Sequence, residues 1–254
     1  MLQKIKSSGF VRRALYALLI NHKASRKYRT IQKQLFFDAG KNFNLFFSRY
    51  ADIEPQIRKN ITGFAKQDSL VFDIGANIGY YTVYLSCLCD KGKIVAVEPD
   101  KGNIEYLKEN MERNNCSNVV IVDKALSDHS GSSKLYVDKS TGRTSSLERN
   151  SWHPNFIEIT EETISTLTLD DLTELYGVPS IIKCDVEGHE LSVLNGAAET
   201  LKHKPVLFLE VIKNNREAVQ SLLEKYGYRF YNAEEPFNIK RPLQEITVSN
   251  LICI

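Results

Sequence analysis

The chain has 254 residues, 43% of them apolar and 25% charged, with a net charge of +2; this suits a soluble globular protein with one large domain or two small ones. Its five cysteines (Cys87, Cys89, Cys116, Cys184, Cys253) contain no CxxC pair, which speaks against a disulfide framework or a zinc site and for reduced thiols in a cytoplasmic protein. The longest apolar run near the start, Ala14 to Ile20, has seven residues, far short of the roughly 20 that span a bilayer, and no secretory cleavage pattern flanks it.

Residues 1–60 show no strand pattern and several apolar helical faces, and read as a basic helical extension ahead of a main domain over 61–254. Residues 1–50 hold 11 Lys and Arg against one acid, Asp38, whereas the rest of the chain holds 22 basic and 30 acidic residues. Such an arm fits either a solvated helical face or a contact with a membrane surface or an acidic partner. From Ser69 onward short β-rich runs alternate with helical ones. SLVFDI is predicted as a strand and NIGYYTVYLSCLC as the helix after it. KIVAVEP is the next strand and GNIEYLKENMERNN the next helix, with Ile104, Leu107 and Met111 on one face. NVVIV is the third strand. The segment 127–176 breaks the rhythm with Ser, Thr, Asp and Gly, a short strand at SKLYV and a helix at TLDDLTELYG; such inserts build a substrate pocket or lid. SIIKCDV, PVLFLEV and YRFYNA supply three further strands, with helices in HELSVLNGAAETLK and NREAVQSLLEKYG between them, and NLICI is a short last strand. This alternation predicts an α/β fold, a mostly parallel sheet with helices on both faces.

The loop after the first of these strands reads D-I-G-A-N-I-G over 73–79. A dinucleotide fingerprint needs glycine where Asn77 stands, and no G-K-[ST] follows to make a phosphate loop. Asp73 at the strand tip would repel a diphosphate and attract a cationic amine, while Gly75 and Gly79 permit a tight turn and close approach of backbone to a ligand. The second strand ends in Glu98-Pro99, 25 residues after Asp73, where an acid can accept hydrogen bonds from two adjacent ribose hydroxyls. A ligand with a ribose, an amine and no phosphate fits both acids. S-adenosylmethionine has these features.

Four stretches, VFDIGANIGYYT, VAVEPD, KALSDHSG and above all IKCDVEGHELSVLNGA, carry a family likeness. From about Asp68 to Val211, with NLICI also similar, the chain resembles the FkbM family of S-adenosylmethionine-dependent methyltransferases. The last stretch is the most specific, because a generic class I methyltransferase has no reason to read D-V-E-G-H-E there. The resemblance implies a class I, Rossmann-like, seven-stranded sheet with the last strand antiparallel. It implies that Gly75, Ala76, Asn77, Gly79 and Tyr80 line the methionine side of the cofactor. Glu98, with Pro99 beside it, would meet the ribose, and Ala125 with Leu126 the adenine. Residues 1–60 match nothing specific in the family.

Methyl transfer is an in-line displacement that needs the acceptor atom held about 3–3.5 Å away and aligned. A hydroxyl acceptor must also lose its proton, to a base or a metal-assisted path. The fourth strand ends at Asp185, followed by Glu187, His189 and Glu190 at the edge where ligands bind. His189 could take the proton. Asp185, expected beside the methyl group, could instead ligate a divalent ion with Glu210 at the tip of the fifth strand. Glu187 and Glu190 could equally complement the start of the next helix, where His189 could cap or pack. In the insert, Arg143, Thr144, Ser145, Ser146, Trp152 and His153 suit a sugar or polyketide hydroxyl, but are ordinary loop residues too. The resulting expectation is a methyltransferase acting on a hydroxyl of a small molecule, sugar or glycan, the acceptor resting on the resemblance. Methylation of a nucleic-acid base is the first rival. It lacks N/D-P-P-Y where Cys184-Asp185-Val186-Glu187 stands, so no nucleic-acid partner is expected. An NAD-dependent oxidoreductase is opposed by Asn77. A protein acceptor, or a non-catalytic module that uses the basic arm, completes the alternatives.

Overall fold

The computed structural model describes residues 18–19, 21–40, 42–48, 50–51, 53–138, 145–147 and 159–254. The first 17 residues of the basic arm, and Arg143, Thr144, Trp152 and His153, lie outside the described residues. Within 21–60 the expected helical preface gives way to an antiparallel hairpin, Lys23–Lys27 (β1) and Gln34–Asp38 (β2). Over 34–37 the pattern of β2 has period two: Leu35 and Phe37 are fully buried, while Gln34 and Phe36 are half-buried. Helix Pro55–Phe64 (α1) follows, entered by a proline whose missing N–H costs nothing in the first turn.

The alternating region opens with Leu70–Ile74 (β3), Tyr80–Leu88 (α2), Lys93–Val97 (β4), Lys101–Arg113 (α3) and Val119–Val122 (β5). Asp100 caps α3 by accepting from the Asn103 N–H at 2.9 Å. The insert then forms a sheet of its own. Ala125–Leu126 (β6), Gly131–Asp138 (β7), Ser145–Ser146 (β8) and Ile159–Leu167 (β9) lie in the order β6-β9-β7-β8, where only SKLYV was expected to be a strand. Leu169–Tyr176 (α4) starts with a capping box between Thr168 and Asp171. The remainder is Ile181–Cys184 (β10), Glu190–Asn195 (α5), Ala198–Lys202 (α6), Val206–Glu210 (β11), Arg216–Lys225 (α7), Phe230–Asn232 (β12) and Asn250–Cys253 (β13). The single helix expected in HELSVLNGAAETLK is two, broken at Gly196. A Cβ there would stand 2.3 Å from the carbonyl oxygen of Ser127, so the chain after β6 passes where a longer side chain would sit.

The main sheet runs β12-β13-β11-β10-β3-β4-β5, and β13 is antiparallel to both neighbours. Side-chain parity splits the sheet between two cores. Val71, Ile94, Ile181 and Phe208 pack with α1, α2 and α3. Phe72, Val95, Ile182 and Leu209 pack with α4, α5, α6 and α7. The strand order reverses at β3 and β10, so the ligand crevice of such a sheet lies beyond their carboxyl ends.

The hairpin is fastened to the first core through α3. Asn110 Oδ1 accepts from the Phe36 N–H at 2.7 Å, and its Nδ2 donates to Phe36 O at 2.9 Å and Ile78 O at 2.7 Å. One turn on, the Asn114 amide pairs in the same way with the backbone of Gln34. The Tyr28 hydroxyl donates to Tyr80 O at 2.6 Å while the two rings stack. Net contributions of about 1 kcal/mol per buried bond make this a substantial clamp. Among the described residues no helix is long and apolar enough to cross a membrane.

Candidate active site

Beyond the tips of β3, β4 and β10 lies a cleft of about 620 Å³, open to solvent. Gly75, Asn77, Glu98, Pro99, Ala125, Leu126, Asp185 and His189 all line it, with Ile74, Val97 and Leu135 supplying apolar wall. Glu98 is buried, 3% exposed. Its Oε2 accepts from the Asn77 N–H at 2.8 Å and its Oε1 from the Asp100 N–H at 3.0 Å. Burial outweighs these bonds and pushes the Glu98 carboxyl up to about 7. The loop between β3 and α2 is folded by left-handed residues, Gly75 at φ 76°, Asn77 at φ 52° and Gly79 at φ 91°. Asn77 stabilises its own strained conformation, because its Oδ1 accepts from the Ile78 N–H at 2.8 Å.

Of the other expected cofactor residues, Ala76, Gly79, Tyr80 and Asp73 are not in this lining. A Cβ on Gly75 would lie 1.9 Å from Asp185 O, and one on Gly79 would lie 2.7 Å from Leu107 Cδ1. Gly75 thus lines the cleft and lets the backbone after β10 approach closely, while Gly79 makes room for α3. The Ala76 N–H is spent on Val97 O at 3.0 Å. Tyr80 points into the first core, its hydroxyl shared with the backbone of Ile53. Asp73 is fully buried and shares the face of Val71, under α2. Its Oδ2 accepts from the Thr82 hydroxyl at 2.6 Å, and its Oδ1 has no hydrogen-bond partner among the described residues. By parity Asp73 lies on the opposite face of the strand from Phe72 and Ile74, and it is not among the residues that line the cleft.

The D-V-E-G-H-E stretch forms a self-supporting turn between β10 and α5. Glu187 (φ 50°) and Gly188 (φ 101°) are left-handed. Glu190 is 1% exposed; its Oε1 accepts from the Gly188 N–H at 2.6 Å and its Oε2 from Asn215 Nδ2 at 3.0 Å. Burial raises its pKa, and these bonds lower it only in part. Glu190 thus locks the turn rather than facing solvent at a helix start. Asn215, which also donates to Gly188 O at 2.8 Å, was not anticipated: nothing in its own neighbourhood marks it. The Ser146 hydroxyl donates to Glu187 O at 2.8 Å, which ties the insert to the turn. His189 sits at the entrance to α5 with its Nε2 3.1 Å from the Ser127 hydroxyl.

A second cavity of about 270 Å³ opens on the other side of Asp185, with Glu54, Tyr81, Lys183, Glu210 and Asn250 in its wall. Lys183 Nζ lies 3.3 Å from Asp185 Oδ2 and 4.8 Å from the centre of the Tyr81 ring. Burial works against this ammonium, but Asp185, Asp73 and Glu54 more than offset it and raise its pKa. Glu54 Oε2 accepts from the Tyr81 hydroxyl at 2.6 Å. The Asp185 charge first, then burial, then Glu187 and Glu54, push Glu210 up to about 8. This donor set does not suit the divalent ion considered for Asp185 and Glu210. An ammonium already meets Asp185, and among the described residues no group of three or more His, Cys, Asp or Glu side chains is placed to hold a metal.

The strand order, the loop after β3 and the acid that closes β4 define a class I methyltransferase fold. Residues 73–230 match the methyltransferase FkbM domain. The chain belongs to the FkbM methyltransferase family. It is 31% identical over 150 residues to the hexuronic acid methyltransferase AglP of Haloferax volcanii, covering 58% of this chain and 57% of that protein. This chain therefore spans little more than half the length of AglP. It is also 28% identical over 183 residues to Methyltransferase 1 of Beauveria bassiana, covering 63% of this chain and 72% of that one. Among solved structures, M. jannaschii TYW2 in complex with AdoMet aligns with a TM-score of 0.48 at 18% identity, over 91% of this chain and 83% of that one.

Proposed function

We propose that this protein is an S-adenosylmethionine-dependent methyltransferase that methylates a hydroxyl of a sugar-like small molecule or glycan. The observation that carries the cofactor is Glu98, a buried carboxylate in the wall of a cleft at the reversal point of the sheet. Its surroundings fit a cationic nucleoside without phosphate. Glu98 can accept from ribose hydroxyls, Ala125, Leu126 and Leu135 offer an apolar slot for a base, and Asp185 and Glu187 lie in the same lining. When bound, S-adenosylmethionine supplies an electrophilic methyl group on a sulfonium.

The chain's own residues supply position and proton handling. Asp185 borders both the cleft and the second cavity, so an acceptor in that cavity would approach the cofactor past its carboxylate. In this reading Asp185 orients the acceptor hydroxyl and takes its proton. His189, on the cleft side and paired with Ser127, is the second candidate base. The family and the sugar substrate in AglP's name support a carbohydrate acceptor. Incubation with methyl-labelled S-adenosylmethionine and a panel of hexoses, amino sugars and uronates tests the reading: label should enter an acid- and base-stable ether. Label found only in an amine, a thiol or nucleic acid would refute it. Asp185→Asn should lower turnover by about 10²–10⁴-fold, and an equal loss in His189→Gln alone would move the base role to His189.

A further inference from the structure

The second cavity, like the cleft, is lined by more acids than bases. Glu54, Asp185 and Glu210 place three carboxyl groups around about 270 Å³, against one ammonium from Lys183. That ammonium is already engaged: Asp185 lies 3.3 Å away, the Tyr81 ring lies beneath it, and Asp73 stands opposite it in strand register. It has little capacity left to neutralise a ligand carboxylate. The carboxyl oxygens and the Asn250 side chain offer partners for hydroxyl or ammonium donors. Two of these groups, Glu54 and Asn250, lie outside residues 73–230, so the cavity is completed by segments that the family match does not cover.

Building on the function proposed above, we propose that this cavity is the acceptor site and that its charge selects a neutral or amino-bearing sugar over a uronate, with Glu54 and Glu210 as specificity-determining residues. This chain would then part from AglP in substrate, since a hexuronic acid brings a carboxylate into the acceptor site. Asp185 is paired with Lys183 and Glu210 is raised to about 8, so near neutral pH Glu54 is the main charge that a ligand carboxylate would meet, joined by Glu210 as pH rises. At about 5 Å such charge, even after solvent screening, separates the classes by about tenfold or more. Glu54 is fixed for this task. It accepts from the Tyr81 hydroxyl, and Ile53 next to it is held through N–H and C=O by the Tyr80 hydroxyl.

Saturation-transfer NMR on the full chain loaded with S-adenosylhomocysteine, with methyl glucoside, glucosamine and glucuronate at equal millimolar concentration, tests the proposal. Methyl glucoside and glucosamine should respond, and glucuronate should bind about tenfold more weakly or worse. Replacing Glu54 and Glu210 together by Gln should close most of that gap. A glucuronate response equal to the others in the unaltered protein would overturn the proposal. So would silence from all three sugars while the adenine protons of S-adenosylhomocysteine respond. Loss of the adenine response itself would instead strike the cofactor reading on which the proposal rests.

Discussion

Glu98 shows how one buried side chain couples stability to ligand binding. Its carboxyl is raised from 4.5 to about 7 because burial outweighs the N–H donors of Asp100 and Asn77. A carboxyl raised on folding contributes stability that is fully present below its unfolded value and lost as pH rises through its folded value. In the ligand-free protein that loss should fall between about pH 4.5 and pH 7 and be on the order of 3 kcal/mol. Thermal denaturation of Glu98→Gln across this range should show a flatter profile than the parent. Ribose hydroxyls donate to the ionised form, so affinity for S-adenosylhomocysteine should rise as pH passes through about 7, with proton release visible by calorimetry in buffers of different ionisation heat. At this scale the sequence made position legible, as for Glu98 and Asn77 after strand ends, both of which line the cleft. The direction of Asp73 was not legible, because it is set by strand parity and by the Thr82 hydroxyl. Nor was that of Tyr80, whose ring stacks on the hairpin's Tyr28, a contact that local pattern does not reveal.

At the level of elements, the glycine loop is held as much by what packs behind it as by its own turns. Gly79→Ala would force a Cβ against Leu107 at a positive φ and should cost about 1–3 kcal/mol in urea denaturation. Asn110→Ala removes bonds to Phe36 and to Ile78, leaving a buried N–H and two carbonyls without their partners. A loss of about 2–4 kcal/mol is expected, and because Ile78 belongs to the loop, S-adenosylhomocysteine should bind more weakly as well. Unchanged affinity in a folded Asn110→Ala protein would show that the hairpin clamp and the cleft are independent. The βα rhythm of residues 69–126 and 181–253 was legible because strands buried on both faces read as apolar runs. The hairpin was not, because its basic residues hid a short alternation in Gln34–Asp38. β9 was missed too: I-T-E-E-T-I-S-T-L is rich in β-branched residues, yet its acids and hydroxyls look like loop.

Across the whole molecule, the cleft and the second cavity meet at Asp185, and the chain's two ends close the cavity from outside the matched domain. The N-terminal segment from β1 to α1 is therefore part of the working domain in this account. Its side chains cover the first core, and Glu54 lines the second cavity. A chain beginning at residue 65 should expose Tyr80, Tyr84 and Leu107, lose cooperative unfolding and aggregate. A soluble, cooperatively folded fragment would contradict that assignment. The second cavity could not be read along the sequence, because Glu54, Lys183, Glu210 and Asn250 come from four separate segments that only the folded sheet brings together. The central claim is that the cleft holds a phosphate-free, cationic nucleoside through Glu98. Calorimetric titration of S-adenosylhomocysteine into the parent protein and Glu98→Ala tests it most directly. The account predicts saturable binding to the parent, a loss of about 1.5–3 kcal/mol or more in the variant, and no heat from NADH. NADH binding without S-adenosylhomocysteine binding, or equal affinity in the two proteins, would contradict it.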